Sequence, residues 1–187
     1  MRTVSVFNHV SLDGYFTDKN NDMSWAHTND DSEWNDFASE NAKGGGELLF
    51  GRITYEMMAS YWPTPAAMKQ LPEVAKGMND MTKIVFSRTM DKASWKNTKL
   101  VKSDPVEAVR KMKKESGKPM VIMGSGTIVS QLAQAGLIDE YQIVVNPIVL
   151  GKGRTLFETV KDKLPLKETK SRTFKNGCVL VCYEPKR

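Results

Sequence analysis

The sequence predicts an α/β fold, a three-layer sandwich whose mostly parallel central sheet carries helices on both faces and ends in a C-terminal antiparallel hairpin. Three observations lead there. Short apolar runs alternate with helix-length stretches up to about Val145, the order that builds parallel sheets through helical crossovers. Several of those runs stop at glycine or small polar residues where a helix would begin. Beyond Leu164 the pattern changes to alternation around Asn176-Gly177, a dipeptide suited to a tight hairpin turn.

Taken in order, Thr3–Val10 reads as a first strand, apolar enough to be central, and Ser11-Leu12-Asp13-Gly14-Tyr15 turns after it. The polar stretch Thr17–Asn29, with Met23 and Trp25 as its only bulky apolar groups, reads as a binding loop or lid without structure of its own. Asp30–Ala42 is expected to be a helix, capped by Asp30 or Asp31, with Trp34, Phe37 and Ala38 facing inward. Glu47–Phe50 follows as a second buried strand, and Tyr55–Tyr61 as a helix beyond Gly51-Arg52-Ile53-Thr54. Ala66–Met78 reads as irregular or short helix, Lys83–Phe86 as a third buried strand and Lys99–Lys102 as a brief fourth. Asp104-Pro105 opens a helix, with proline at its first position and Glu107 able to close a capping box. Val121–Met123 is a strand that Gly124-Ser125-Gly126 breaks; Thr127 is expected to cap the next helix, and Gly136 stops it. Glu140–Asn146, Leu164–Phe174 and Cys178–Tyr183 complete the strands.

The 187 residues fit one domain, 1–187, large enough to bury a real core. No apolar run is long enough to span a bilayer, and MRTVSVFNHV reads as a strand rather than a signal peptide, so a cytoplasmic protein is expected. The formal charge of +5 is scattered, without the basic face and interleaved aromatics of a nucleic-acid binder. A small polyanionic ligand suits that mild field better. Cys178 and Cys182 share a strand face roughly 13 Å apart, too far for a disulfide. With only His9 and His27 beside them, no metal site is expected, and both cysteines read as buried, reduced core residues.

The strand ends carry the functional signal. Gly51-Arg52-x-Thr54, Ser87-Arg88-Thr89 and Gly124-Ser125-Gly126-Thr127 would all lie on the rim where an open parallel sheet binds its ligand. Helix N-termini offer unpartnered amides and positive dipole ends, glycine lets the backbone approach, and arginine pairs with phosphate in a forked geometry. A ligand with several phosphates fits such a rim. The dinucleotide fingerprint itself is incomplete, because Val129 stands where a third glycine would be needed.

At these residues the chain resembles a known family. GRITYE, IVFSRT and VIMGSGT…LIDEYQIVVNPIVLGKGRTLF, with Ser11-Leu12-Asp13-Gly14 before them, resemble the dihydrofolate reductase-like superfamily. The nearer branch is the C-terminal reductase domain of bacterial riboflavin-biosynthesis deaminase-reductases, and the likeness runs from Val4 to Tyr183. The resemblance implies NADPH as cofactor. It would place Gly51, Arg52 and Thr54 at the pyrophosphate, Ser87, Arg88 and Thr89 at the adenosine 2′-phosphate, and Gly124, Ser125, Gly126, Thr127 and Ile128 along the pyrophosphate and nicotinamide ribose.

The implied chemistry is hydride transfer to a C=N or C=O carbon of a pyrimidine- or pteridine-type heterocycle, as in 5-amino-6-(5-phosphoribosylamino)uracil reduction. A proton must also reach the neighbouring heteroatom. Asp30 is the candidate acid on dihydrofolate reductase-like spacing from Trp25 and Trp34, with Asp31 beside it. Asp13 is the candidate in the riboflavin branch. Each has a plain alternative, as a helix cap or an Asp-Gly turn. Asn8, Tyr15, Trp25 and Trp34 are expected at the heterocycle, although aromatics on a first helix also serve as core. Two rival readings stay open: a dihydrofolate reductase, and a non-catalytic NADP(H)-binding regulatory protein. A homodimer through the C-terminal hairpin edge is also expected.

Overall fold

The computed structural model describes residues 1–27 and 31–186. The chain begins with β1 (Val4–Ser11) and β2 (Tyr15–Asp18), then a 3-10 turn (Ser24–His27), α1 (Ser32–Lys43), β3 (Glu47–Gly51) and α2 (Arg52–Tyr61). Next come α3 (Pro65–Gln70), α4 (Pro72–Asp80), β4 (Thr82–Phe86), β5 (Thr98–Val101), α5 (Pro105–Lys114) and β6 (Met120–Ile122). The last elements are α6 (Gly126–Gln134), β7 (Glu140–Asn146), β8 (Gly153–Thr155), β9 (Leu166–Thr173) and β10 (Val179–Pro185).

An eight-stranded sheet runs β5-β4-β3-β6-β1-β7-β10-β9, and β2 and β8 form a separate antiparallel ribbon. Neighbours from β5 to β7 are parallel, while β10 is antiparallel to both β7 and β9. The three layers follow from alternation along each strand. Val4 and Val6 of β1, Leu49 of β3, Ile84 of β4 and Ile122 of β6 enter one core together with Val109 of α5 and Val129 and Leu132 of α6. The intervening Leu48, Phe50 and Val85 face the opposite way, against Tyr55, Ala67, Ala75 and Met78 of α2 to α4. Beyond β1 that second face continues as Phe7, Trp34, Phe37, Val144, Phe174 and Leu180 beneath α1. Each fully buried aliphatic side chain contributes roughly 1.5–3 kcal/mol relative to exposure.

The ends of the helices follow local chemistry. The Asp104 carboxylate accepts the Val106 and Glu107 amides at 2.9 and 3.1 Å, with Pro105 at the first helical position. Asp31 caps α1 by accepting from the Glu33 amide at 3.0 Å. Two expectations change and one is sharpened. The described part of Thr17–Asn29 is not structureless, since Thr17 and Asp18 belong to β2 and pair with Arg154 and Gly153. Ala66–Met78, read as irregular or short helix, falls in two short helices, each with a proline, Pro65 or Pro72, in its first turn. Ser125, rather than Thr127, is the N-cap of α6. Among the described residues no helix is long and apolar enough to cross a membrane.

Candidate functional site

Strand register sets the site. Leu49 of β3 and Val6 of β1 both pair with Ile122 of β6. Two residues further along, Gly51 at the end of β3, Gly124 just beyond β6 and Asn8 within β1 therefore stand level. Their contacts agree: the Gly124 amide donates to Asn8 Oδ1 at 3.2 Å, and the Gly51 amide to Ser125 Oγ at 2.6 Å. The Ser125 amide in turn donates to Thr54 Oγ1 at 2.9 Å. The ends of β3 and β6 are thus stitched to each other and to β1 by side-chain oxygens, which engage the Gly51, Gly124 and Ser125 amides.

The helices that start here keep their first turns open. Neither Gly51 of α2 nor Ser125 of α6 makes a side-chain cap hydrogen bond, so first-turn amides of both helices face the edge without that partner. Backbone closeness is severe. A Cβ at Gly124 (φ +73°) would meet Thr54 Cγ2 at 2.5 Å, and one at Gly126 would meet the Thr155 carbonyl at 2.8 Å and the Phe16 ring at 2.9 Å. Only glycine fits either place. The β2–β8 ribbon thus lies directly on the start of α6, and Ser130 Oγ fastens it further by donating to the Leu156 carbonyl at 2.9 Å. Arg154 comes with the ribbon, its guanidinium 5.9 Å from the Phe16 ring centre. Arg154 stands outside the expected site residues, although it lies within the family-like segment GKGRTLF.

The other expected residues divide. Gly51 pairs with Phe86, so Ser87, Arg88 and Thr89 sit beside the start of α2, two strands from Gly124. Ser87 Oγ accepts the Met90 amide at 3.1 Å, and Arg88 and Thr89 are exposed. Arg52 is exposed and paired with Glu56 at 3.1 Å. Thr127 is exposed, whereas Ile128 is buried in the core.

Asp13 is committed to the backbone. Its carboxylate accepts from Leu150 and Gly151 amides at 3.1 and 2.7 Å and from Ser11 Oγ at 2.6 Å. The Ser11 hydroxyl, ahead of those amides, holds it below the usual carboxylate range. Asp31 is likewise occupied by its own helix and by the Asn176 amide at 3.1 Å. Asp30 lies outside the described residues. Trp34 stacks among His9, Phe37 and Phe174, with ring centres 5.2, 5.4 and 5.0 Å away. Tyr15 lies in β2 and is half-buried; Trp25 lies in the 3-10 turn and donates to the Asp22 carbonyl at 3.1 Å.

One polar chain went unnoticed in the sequence. Buried Asn146 donates to the Val10 and Val144 carbonyls at 3.2 and 3.1 Å, and its Nδ2 lies 3.2 Å from His9 Nδ1. The Cys178 thiol donates to Asn146 Oδ1 at 3.3 Å. Burial pushes both Cys178 and Cys182 upward, which keeps them as inert thiols. A concavity of about 880 Å3 lies elsewhere, at the N-terminal end of β4. Its polar lining is internally satisfied: Trp95 donates to Asn79, and Asp80 pairs with Lys76 and Lys96.

With this geometry in place, residues 2–180 match the family described as RibD C-terminal domain. The chain belongs to that family. The uncharacterized protein YyaP of Bacillus subtilis (strain 168) is 30% identical over 93% of this chain and 90% of its own length. A putative riboflavin biosynthesis protein from Shewanella sp. PV-4 is similar in structure, with a TM-score of 0.75, 26% identity and 99% of each chain covered. Dihydrofolate reductase from Enterococcus faecalis, complexed with NADP(H), matches in fold at a TM-score of 0.64 and 14% identity, over 99% of this chain and 97% of that one. The RibD C-terminal chain therefore has a dihydrofolate reductase-like fold.

Proposed function

We propose that this chain is an NADPH-dependent reductase acting on a pyrimidine- or pteridine-type heterocycle, with the uracil reduction of riboflavin biosynthesis as the nearest reaction. The observation that carries the reading is the pair of uncapped helix N-termini at the level ends of β3 and β6. Such ends attract phosphate through free amides and aligned dipoles. Family membership and the NADP(H) complex of the Enterococcus enzyme support the same cofactor.

Residues of both corners fit the dinucleotide. First-turn amides of α2 and α6, with the Thr54 hydroxyl, would hold the pyrophosphate, and Ser87, Arg88 and Thr89 the 2′-phosphate. Gly124 to Ile128 would run along the ribose, and Asn8 keeps that turn in place through the Gly124 amide. When bound, the nicotinamide supplies the hydride. The protein aligns the heterocycle against it and brings a proton to the neighbouring heteroatom. Asp30 is the residue assigned to that proton, since Asp13 and Asp31 are already engaged as acceptors. The substrate is a small molecule, and NADPH supply makes the cytoplasm its place of work.

A non-catalytic NADP(H)-binding role is the second reading, favoured by the commitment of Asp13 to loop amides. Purified protein mixed with NADPH and the ribosylaminouracil phosphate, or with dihydrofolate, separates the readings. NADPH consumption with the uracil and not with dihydrofolate is expected. Binding without consumption by either would leave the regulatory role, and consumption with dihydrofolate alone would make this a dihydrofolate reductase.

A further inference from the structure

Arg154 stands apart from the other described arginines. Arg2, Arg52, Arg110 and Arg172 each pair with a carboxylate, and Arg88 is exposed. Arg154 is half-buried, yet among the described residues it makes no ion pair and no side-chain hydrogen bond; its guanidinium lies 5.9 Å from the Phe16 ring centre. A group with five donors is seldom withdrawn from water without an acceptor.

Strand register explains how it comes to lie there. Tyr15 pairs with Thr155 and Thr17 with Arg154, so Phe16 is one residue more than β8 can match, a β-bulge. The bulge breaks the alternation of β2, and Phe16 and Thr17 are buried in succession opposite Arg154. Thr17 carries a second unmet group. Its Oγ1 is buried and has no hydrogen-bond partner among the described residues. Directly opposite residues of an antiparallel pair have Cβ atoms about 4.5–5.5 Å apart, which puts that oxygen within reach of the guanidinium.

We propose that Arg154 and Thr17 form an anion subsite on the β2–β8 ribbon, which takes a phosphate ester on the side chain of the heterocyclic substrate. The guanidinium fork meets the phosphate oxygens. Thr17 Oγ1 accepts a further guanidinium N–H, which fixes Arg154 in that pose and gives the orphaned oxygen its partner. This names the substrate as a phosphorylated one and rests on the reductase reading above. Position separates the subsite from the cofactor. The ribbon follows β1 and β7 in the chain and reaches the start of α6 from their side, where the Thr155 carbonyl crowds Gly126. The corners assigned to the dinucleotide stand at β3 and β6, the neighbours away from β7 in the sheet.

The test uses ribose 5-phosphate, the side chain of such a substrate without its heterocycle. Its binding is followed by calorimetry and by the Arg154 Nε–H signal in NMR, on the wild type, Arg154→Met, Arg154→Lys and Thr17→Val. The wild type should bind it and shift that signal. Arg154→Met should weaken binding at least tenfold, and Arg154→Lys by less. Thr17→Val should weaken it severalfold and yet raise the urea midpoint, because the orphaned oxygen is gone. In turnover, the wild type should favour 5-amino-6-(5-phosphoribosylamino)uracil over its dephosphorylated form at least tenfold in kcat/KM. Arg154→Met should bring that ratio near one, through KM. Equal ribose 5-phosphate affinity in the wild type and Arg154→Met, or none in the wild type, would overturn the subsite while leaving the reductase reading intact. An Arg154→Met protein that loses NADPH affinity by the same factor would give the anion to the cofactor and overturn the substrate assignment. Ribose 5-phosphate binding that depends on Arg154, with no NADPH consumed by either uracil, would overturn the reductase reading and uphold the anion subsite.

Discussion

A Cβ at Gly124 would stand 2.5 Å from Thr54 Cγ2, and Gly124 has φ +73°. Gly124→Ala therefore combines left-handed strain with overpacking, for a loss of roughly 2–4 kcal/mol. Urea unfolding should show it as a lower midpoint at constant slope. An unchanged midpoint would mean that Thr54 moves aside freely.

Asp13 binds loop 148–151 to the turn after β1, since Leu12 also donates to the Ile148 carbonyl at 2.8 Å. Its folded pKa is depressed, chiefly by Ser11. The stabilisation is thus present above the ordinary carboxylate range and is lost as pH falls through the lower, folded value. The Leu150 and Gly151 amide shifts should titrate together in that acid window. Asp13→Asn should abolish the titration and leave the pH profile of kcat unchanged; a collapsed kcat with an ordered loop would instead identify Asp13 as the acid.

Lys83 is fully buried, donating to the Asn79 and Met81 carbonyls at 2.8 Å each, 4.3 Å above the Trp95 ring centre. It satisfies carbonyls at the C-terminal end of α4. Burial lowers its pKa to about 8 from 10.5. Between those values the unfolded chain holds a proton that the folded one has released, so this group makes stability rise with pH there. Lys83→Met should remove that rise and cost roughly 1–3 kcal/mol at neutral pH through the stranded carbonyls. Chemical denaturation from pH 7 to pH 10 reads both effects.

Trp34 packs among His9, Phe37 and Phe174, so Trp34→Ala should lower stability by about 3 kcal/mol, and Trp34→Phe by much less. Unaltered stability with a raised KM for the heterocycle would place Trp34 in the substrate pocket instead of the aromatic cluster.

Much of the fold could be read from the chain because period and punctuation agreed. The buried runs at Glu47–Gly51 and Thr82–Phe86 carry apolar residues on both faces, and Gly136 at φ +64° ends α6 where expected. The β2–β8 ribbon could not be read. Its strands are four and three residues long and pair across a large sequence gap, so no local periodicity marks them. The strand-end rim was legible as a set of residue types. The hydrogen bonds within it were not, since Asn8 reaches Gly124 only through a register set by the whole sheet. Asp13 fell between the two: the turn was visible, but its partners Leu150 and Gly151 lie far along the chain.

The most direct measurement is calorimetric affinity for NADPH and NADH, on the wild type and on Arg88→Ala. Arg88 is exposed beside the start of α2, where a 2′-phosphate would add a charge-assisted contact of roughly 1.5–3 kcal/mol. The wild type should prefer NADPH at least tenfold, and Arg88→Ala should show little preference. Equal affinity for both dinucleotides, or none for either, would contradict a reductase whose strand-end rim holds NADPH.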